Sequence, residues 1–334
     1  MSPTPPVLAL PSVSDELAAD LQQGIAEVDA LLRKEIDHDD PFIAEANSHL
    51  VEAGGKRFRP MLTLLAAEVG SGRNDQVVAA AAGVELTHVA SLCHDDVMDE
   101  AELRRGAPSA NAAYGNSGAI LIGDLLFGKA SSIIADLGAE AVKIQAETFV
   151  RLCSGQIRDA RPAPEGVDAR DYYLWVLEDK TGVLIATAAR YGAMFSGCDA
   201  QTVEVLRLYG ERLGMAFQLA DDLIDVSSEA AELGKTPGTD LREGKRTLPV
   251  LHALASTDPA DARLQELLRS DLREDEAALA EALELLRAHP AMERAREQTA
   301  VVAREAQDLL DPLPASEAKD ALRALATSVV NRVG

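Results

Sequence analysis

Cysteine is nearly absent, with only Cys93, Cys153 and Cys198 in a chain of 334 residues. The three lie too far apart for a metal-ligand or redox motif, which argues against a disulfide scaffold or a thiolate metal site, and they read as small buried hydrophobes. Basic residues are also scarce: 32 Lys and Arg stand against 55 Asp and Glu, a formal net charge of -23. That balance argues against a nucleic-acid partner, because a broad phosphate-binding surface needs Lys and Arg in excess. Aromatics make up only 4% of the chain, and no run of about 18 uninterrupted apolar residues is available to span a membrane. The stretch MSPTPPVLALPSVS lacks a basic region, and Pro11 breaks its short apolar run, so it does not resemble a secretory signal. The expected location is the cytosol, with transient membrane contact for an apolar product.

What the chain does contain is Ala and Leu, with polar residues recurring between apolar ones at helical spacing. The class read from this is all-α. Residues 1–13 form a Pro-rich lead without periodicity, expected to be disordered, and 14–334 read as a single domain. Helices begin near Ser14, where Leu17, Leu21, Ile25, Val28 and Leu32 make one apolar face. A second helix ends at Glu52 before Gly54 and Gly55, and a third carries MLTLLAAEVG. The next runs from about Asp75 to Glu100, another follows Gly118, and a further one carries Ala141 to Arg158. The stretches from Tyr172 to Phe195 and from Val203 to Val226 read as long core helices. Glu229 to Lys245 is Gly-rich and charged, as a mobile surface loop would be. Beyond it, Pro259, Pro290, Pro312 and Pro314 mark helix breaks.

Two acidic clusters stand out: Asp95, Asp96 and Asp99, then Asp221, Asp222 and Asp225. In each, the first and last Asp are four apart and share a helix face. One such cluster alone would read as a solvated surface, but both interrupt otherwise apolar helices, and unpaired buried charge is expensive. All-oxygen ligation by a few carboxylates suits Mg²⁺, which keeps waters and is shared with substrate phosphates. The pattern points to a metal-bridged diphosphate between the two helices. A carboxylate facing a phosphate charge at about 5 Å costs about 3 kcal/mol at an effective dielectric of 20, so divalent ions must intervene. Lys56 and Arg59 in GGKRFRP, His88 two turns before Asp95, and the adjacent Arg104 and Arg105 supply an organised set of cations for a second anion.

The segments GGKRFRP, HDDVMDEAELRRG, DKTG, FQLADDLID and GKTPGTDLREGKRTLP, in this order over about residues 40 to 250, resemble the trans-isoprenyl diphosphate synthase family, also called polyprenyl synthetases. The resemblance implies a bundle of long helices around a central cavity, and a prenyltransferase that joins isopentenyl diphosphate head to tail onto an allylic diphosphate. It implies about three Mg²⁺ per active site, held principally by Asp95, Asp99 and Asp221 and supported by Asp96, Asp222 and Asp225. Lys56, Arg59, His88 and Arg105 are implied to hold isopentenyl diphosphate. Arg104, Lys180, Thr181, Gln218, Lys235 and Lys245 are implied to hold the allylic diphosphate. The implied mechanism is dissociative: metal and lysines take up charge on the leaving diphosphate, and the double bond of isopentenyl diphosphate attacks the allylic carbocation.

Product length turns on the helical turn before the first cluster, where Ala90 and Ser91 are both small. In relatives that stop at fifteen or twenty carbons an aromatic commonly stands there. Deeper, Ser131 and Ser132 occupy positions where long-chain enzymes carry a larger floor residue. The resemblance thus implies a medium or long product, about seven to ten isoprene units, and with a helical rise of ~5.4 Å per turn, close to one extended unit, a bulky residue at Ala90 or Ser91 would stop growth early. Short-chain synthesis remains the alternative. A terpene cyclase fits poorly, because its second metal motif is a mixed Asn, Ser and Glu pattern. A non-catalytic partner subunit typically loses an aspartate cluster, so a homodimer is expected, with Ala119 to Ile134 as candidate interface.

Overall fold

The computed structural model describes residues 13–227 and 238–332. The expected N-terminal lead, Val13 apart, lies outside the described residues, as does most of the expected mobile loop. Among the described residues the chain is almost entirely helical, the exception being a two-stranded hairpin, Leu103–Arg104 with Ala107–Pro108. Its contacts cluster into two units, each assembled from three separate segments.

The first unit comprises Met1–Val150, Leu184–Gly210 and Leu310–Ala324. It holds α1 (Asp15–Ile36), α2 (Pro41–Glu52), α3 (Phe58–Ala67), α4 (Asp75–Met98) and α5 (Ala110–Ala135). Most of α6 (Ala139–Asp159) and α8 (Val183–Phe195), and the start of α9 (Ala200–Ser227), also belong to it. Side-chain caps set the helix starts: Ser14 accepts from the Leu17 N–H, and Asn74 accepts from the Gln76 and Val77 N–H groups. Val28 and Leu32 of α1, Leu50 of α2, Val89, Ala90 and Cys93 of α4, and Ala119, Leu126 and Ala130 of α5 form one buried cluster. Helix α4 is apolar around most of its circumference and is accordingly buried on most sides.

Helices α4 and α5 are long and apolar enough to cross a bilayer by length and composition. Glu85 in α4, and Asp124 and Lys129 in α5, interrupt what would otherwise be continuous apolar runs. The two helices pack along each other. Helix α5 opens with a short helical segment at Ala110, capped by Ser109 and by Asp96, which accepts the Ala110 N–H at 2.9 Å, ahead of the long apolar stretch expected after Gly118. Its geometry breaks at Gly115, where φ is 73°. Of the cysteines, Cys93 is fully buried, and burial pushes its thiol up to about 12; Cys153 and Cys198 are only half-buried.

The second unit comprises Arg151–Val183, Glu211–Leu309 and Leu325–Gly334. It includes α7 (Ala169–Leu177), a π-turn over Glu178–Gly182, the C-terminal half of α9, and the helices Leu248–Leu254, Glu276–Ala288 and Ala291–Leu309. Leu248–Leu254 packs on Ala291–Leu309 and on α7. The long helix expected over 172–195 is present, running without a break from Ala169 to Phe195, with the π-turn inserted in it. Proline breaks fall as read: Pro259 opens a short 3₁₀ segment, and Pro290 separates two helices.

Candidate active site

In the first unit, the GGKRFRP turn reaches α3 through left-handed backbone, with φ of 91° at Gly54 and 47° at Arg57. The guanidinium of Arg57 is fully engaged, donating to Asp29 at 2.8 Å, to Glu85 at 3.1 Å and to the Val51 carbonyl at 3.1 Å. Anchored this way, the turn leaves Lys56 exposed and puts Arg59 on the first turn of α3. Arg59 Nε is buried and has no hydrogen-bond partner. Burial lowers its pKa to about 10, opposed by Glu85 and assisted by Arg105. Such a cation is stabilised by an anion from outside the chain.

The pair Arg104 and Arg105 sits on the hairpin. Arg105 and Gly106 are its two central residues, both with positive φ, 55° and 77°, as a tight two-residue turn matched to strand twist requires. Arg105 Nη1 donates to the Leu50 carbonyl at 2.9 Å and also to the Gly54 carbonyl. A Cβ on Gly55 would come within 3.0 Å of Arg105 Cζ, so glycine there lets the guanidinium lie flat on the turn. Arg104 Nε donates to Asp96 at 2.6 Å, and its Nη2 lies 3.9 Å from Asp99. Asp96 is fully buried, and its second oxygen accepts the Ala110 N–H. Asp95 and Asp99 stand one turn apart at the end of α4, the Asp99 N–H bonding to the Asp95 carbonyl at 2.8 Å.

His88 corrects the sequence reading, which counts it among the cations. Burial and the charges of Arg59, Arg105 and Arg104 hold its imidazole well below the usual range, so it is neutral at pH 7. Just above it on α4, Ala90 belongs to the buried cluster, and Ser91, also buried, donates to the His88 carbonyl at 2.8 Å. Ser131 is half-buried outside that cluster and Ser132 is exposed. One turn before Ser131, Phe127 packs against the cluster and stacks on Phe149 with ring centroids 4.0 Å apart, a bulky pair that the sequence reading did not single out.

In the second unit, a cavity of about 100 Å³ is lined by Lys180, Thr181, Gln218, Asp222 and Lys245, all foreseen, and by Asp159, Tyr173, Asp240 and Arg246, which were not. Lys180 Nζ pairs with Asp159 at 2.6 Å, and Thr181 Oγ1 donates to Gln218 at 3.3 Å. Asp222 is buried; it accepts from Gln218 Nε2 at 3.0 Å and from the Tyr173 hydroxyl. Burial, then Asp240, raises its pKa well above the carboxylate range. Asp225 accepts the Thr239 and Asp240 N–H groups at 3.2 and 3.1 Å, yet burial and Asp240 still raise it to about 6. Lys245 approaches Asp240 to 3.5 Å. Asp221 pairs with Arg332 at 2.9 Å. Lys235 lies outside the described residues. Asp240 was legible in GTDLREGKRT; Tyr173 left no motif to read.

Carboxylates crowded in this way, with oxygen donors and raised pKa values, fit a hard divalent cation whose charge would offset their burial. Among the described residues no group of three His, Cys, Asp or Glu side chains could hold a metal ion by itself.

The comparisons with known proteins identify the family. Residues 40–286 match the model of the family described as polyprenyl synthetase. The chain belongs to the polyprenyl synthetase family. It is a prenyltransferase, a trans-polyprenyl diphosphate synthase, and its apolar α4 and α5 are core helices of a soluble enzyme family. Similar proteins include the nonaprenyl diphosphate synthase of Mycobacterium tuberculosis, 48% identical over 318 residues covering 95% of each chain. Among solved structures, the geranylgeranyl pyrophosphate synthase of Corynebacterium glutamicum, complexed with calcium and isoprenyl diphosphate, superposes with a TM-score of 0.86 at 43% identity. That match covers 96% of this chain and 98% of that one. The decaprenyl diphosphate synthase of Rhodobacter capsulatus gives a TM-score of 0.86 at 36% identity, covering 96% and 99%.

Proposed function

We propose that the enzyme makes a long all-trans polyprenyl diphosphate, about seven to ten isoprene units at ~5.4 Å per helical turn, by Mg²⁺-dependent addition of isopentenyl diphosphate to an allylic diphosphate. The observation that carries the chemistry is the pair of acidic clusters, each with basic side chains close by: Arg104 at the first, and Lys180 and Lys245 in the cavity of the second. The relative that binds calcium and isoprenyl diphosphate supports the divalent ion. Mg²⁺, when bound, would supply the charge that lets carboxylates and diphosphate share a site.

In this reading Asp95, Asp99 and Asp221 are the principal metal ligands, with Asp222 and Asp225 supporting them. Asp96 contributes indirectly by fixing Arg104 and the start of α5. Lys180 and Lys245 neutralise the charge that develops on the leaving diphosphate, and Thr181 and Gln218 orient it by hydrogen bonds. Lys56, Arg59 and Arg105 hold the diphosphate of isopentenyl diphosphate, and neutral His88 serves as a hydrogen-bonding group beside them. Arg59 Nε, buried without a partner, is the donor best supported for that anion.

The long product is supported by the small Ala90 and Ser91 and by the nonaprenyl and decaprenyl relatives. Phe127 and Phe149, rather than Ser131, are the bulky residues closest to the role of floor. A homodimer is supported by exposed apolar side chains on neighbouring helices, Leu121 on α5 and Val150 on α6, 66% and 65% exposed.

The test is to incubate the protein with isopentenyl diphosphate, farnesyl diphosphate and Mg²⁺, with an EDTA control, and to size the dephosphorylated products. The expected result is a metal-dependent ladder ending at about seven or more units, with Ala90→Phe ending earlier by blocking a turn of ~5.4 Å. Products that stop at twenty carbons would overturn the length; no elongation would overturn the activity assignment for this chain on its own.

A further inference from the structure

The DKTG segment is not regular helix. Glu178–Gly182 forms a π-turn between α7 and α8, a rare interruption of α-helix that is frequent at functional sites and persists where surrounding contacts favour it. Those contacts are concentrated here. Asp179, 5% exposed, accepts from Arg151 Nε at 2.7 Å and from Arg158 Nη1. Arg151 also donates to Glu178 at 3.1 Å and to Glu211 at 2.9 Å, so one guanidinium ties the first two residues of the turn to α9. Arg158 in turn lies 3.8 Å over the Trp175 ring.

Arg151, Gly155 and Arg158 fall on one face of α6. A Cβ on Gly155 would lie 2.6 Å from the Lys180 backbone nitrogen, so only glycine lets α6 approach the turn this closely. Neither Arg151 nor Asp179 lines the cavity that Lys180 and Thr181 enter. Ion pairs buried to this degree add little net stability over apolar contacts, whereas they fix geometry well when every group is satisfied.

We infer that Arg151 and Asp179, with Gly155 and Arg158, are positioning residues that hold the π-turn and thereby aim Lys180 and Thr181 at the allylic diphosphate. This rests on the proposed role of those two residues. The network touches no substrate. It sets the position of the Lys180 ammonium and the Thr181 hydroxyl relative to Gln218 and Asp222, and its loss shows as weaker capture of one substrate only.

The test compares Asp179→Asn, Arg151→Met and Gly155→Ala with wild type. Initial rates are taken with each substrate varied against saturation by the other. Binding of inorganic diphosphate with Mg²⁺ is measured alongside, and circular dichroism monitors the fold. The expected result is a KM for the allylic diphosphate raised about tenfold, the size of one lost charge-assisted bond, with KM for isopentenyl diphosphate unchanged. Arg151→Lys should recover part of the loss. Gly155→Ala perturbs the turn through packing without removing a charge, so it should reproduce the same split if the charge variants fold poorly. Equal changes in both KM values, or wild-type kinetics in all variants, would overturn the inference. A wild-type enzyme that elongates nothing would overturn the function proposed above instead, and the diphosphate binding of the variants would still judge the positioning role.

Discussion

The two acidic clusters share one pattern, two adjacent aspartates and a third after two intervening residues, yet their environments differ. In the first, the middle aspartate is already satisfied: Asp96 is fully buried between the Arg104 guanidinium and the Ala110 N–H. In the second, the middle aspartate is crowded by like charge, and Asp222 and Asp225 are both raised by burial and by Asp240. The same letters therefore do two jobs. Asp96 is a structural anchor, while Asp222 and Asp225 store electrostatic strain that a cation would relieve.

The largest expected effect that breaks this symmetry is on activity. Asp221→Asn and Asp95→Asn should each lower kcat by roughly two to three orders of magnitude, the scale of losing a main stabiliser of transition-state charge, measured by incorporation of labelled isopentenyl diphosphate. Next comes stability without metal. Asp96→Asn leaves Arg104 without its closest partner and should destabilise the metal-free protein by about 2 kcal/mol, discounted from the cost of a fully buried pair because Arg104 is partly exposed. Asp222→Asn should cost little, since burial and Asp240 already disfavour the charged form of Asp222 in the metal-free protein. Urea denaturation with EDTA separates them, and equal losses would contradict the contrast.

The pH dependence follows the same logic. A carboxyl whose folded pKa is raised keeps its proton in the native state after the unfolded chain has lost it, so the native state binds more protons between the unfolded value near 4 and the folded value. Metal-free stability should therefore fall as pH rises from about 4 through about 6 on account of Asp225. Asp225→Asn should flatten that slope. The smallest effect is at the first cluster's basic turn. Gly55→Ala pushes against the Arg105 guanidinium at a left-handed φ of 147° and should raise KM for isopentenyl diphosphate several-fold, the scale of about 1 kcal/mol.

Much of this was legible in the residues, and the parts that were not have physical reasons. Leu17, Leu21, Ile25, Val28 and Leu32 recur at helical spacing, and all five are buried on α1. Lys180, Thr181, Gln218, Asp222 and Lys245 were named from motifs, and they line one cavity. The short segment that opens α5 before the Gly115 break was missed because a long-range bond from the Ala110 N–H to Asp96, rather than local propensity, supports it. The π-turn was missed because it shifts the backbone hydrogen bonds without changing residue composition, and the Arg151 and Asp179 contacts that favour it come from a distant helix. His88 was read as a cation because charge state depends on neighbours brought close only by the fold. Tyr173 is one aromatic on an amphipathic helix until its hydroxyl meets Asp222.

The central claim is that the carboxylates receive a metal together with diphosphate rather than a metal alone. The most direct test is the thermal midpoint of the EDTA-treated, repurified protein with Mg²⁺ alone, with inorganic diphosphate alone, and with both. The account predicts small shifts for either component and a large one for the pair; a full shift with Mg²⁺ alone would contradict it.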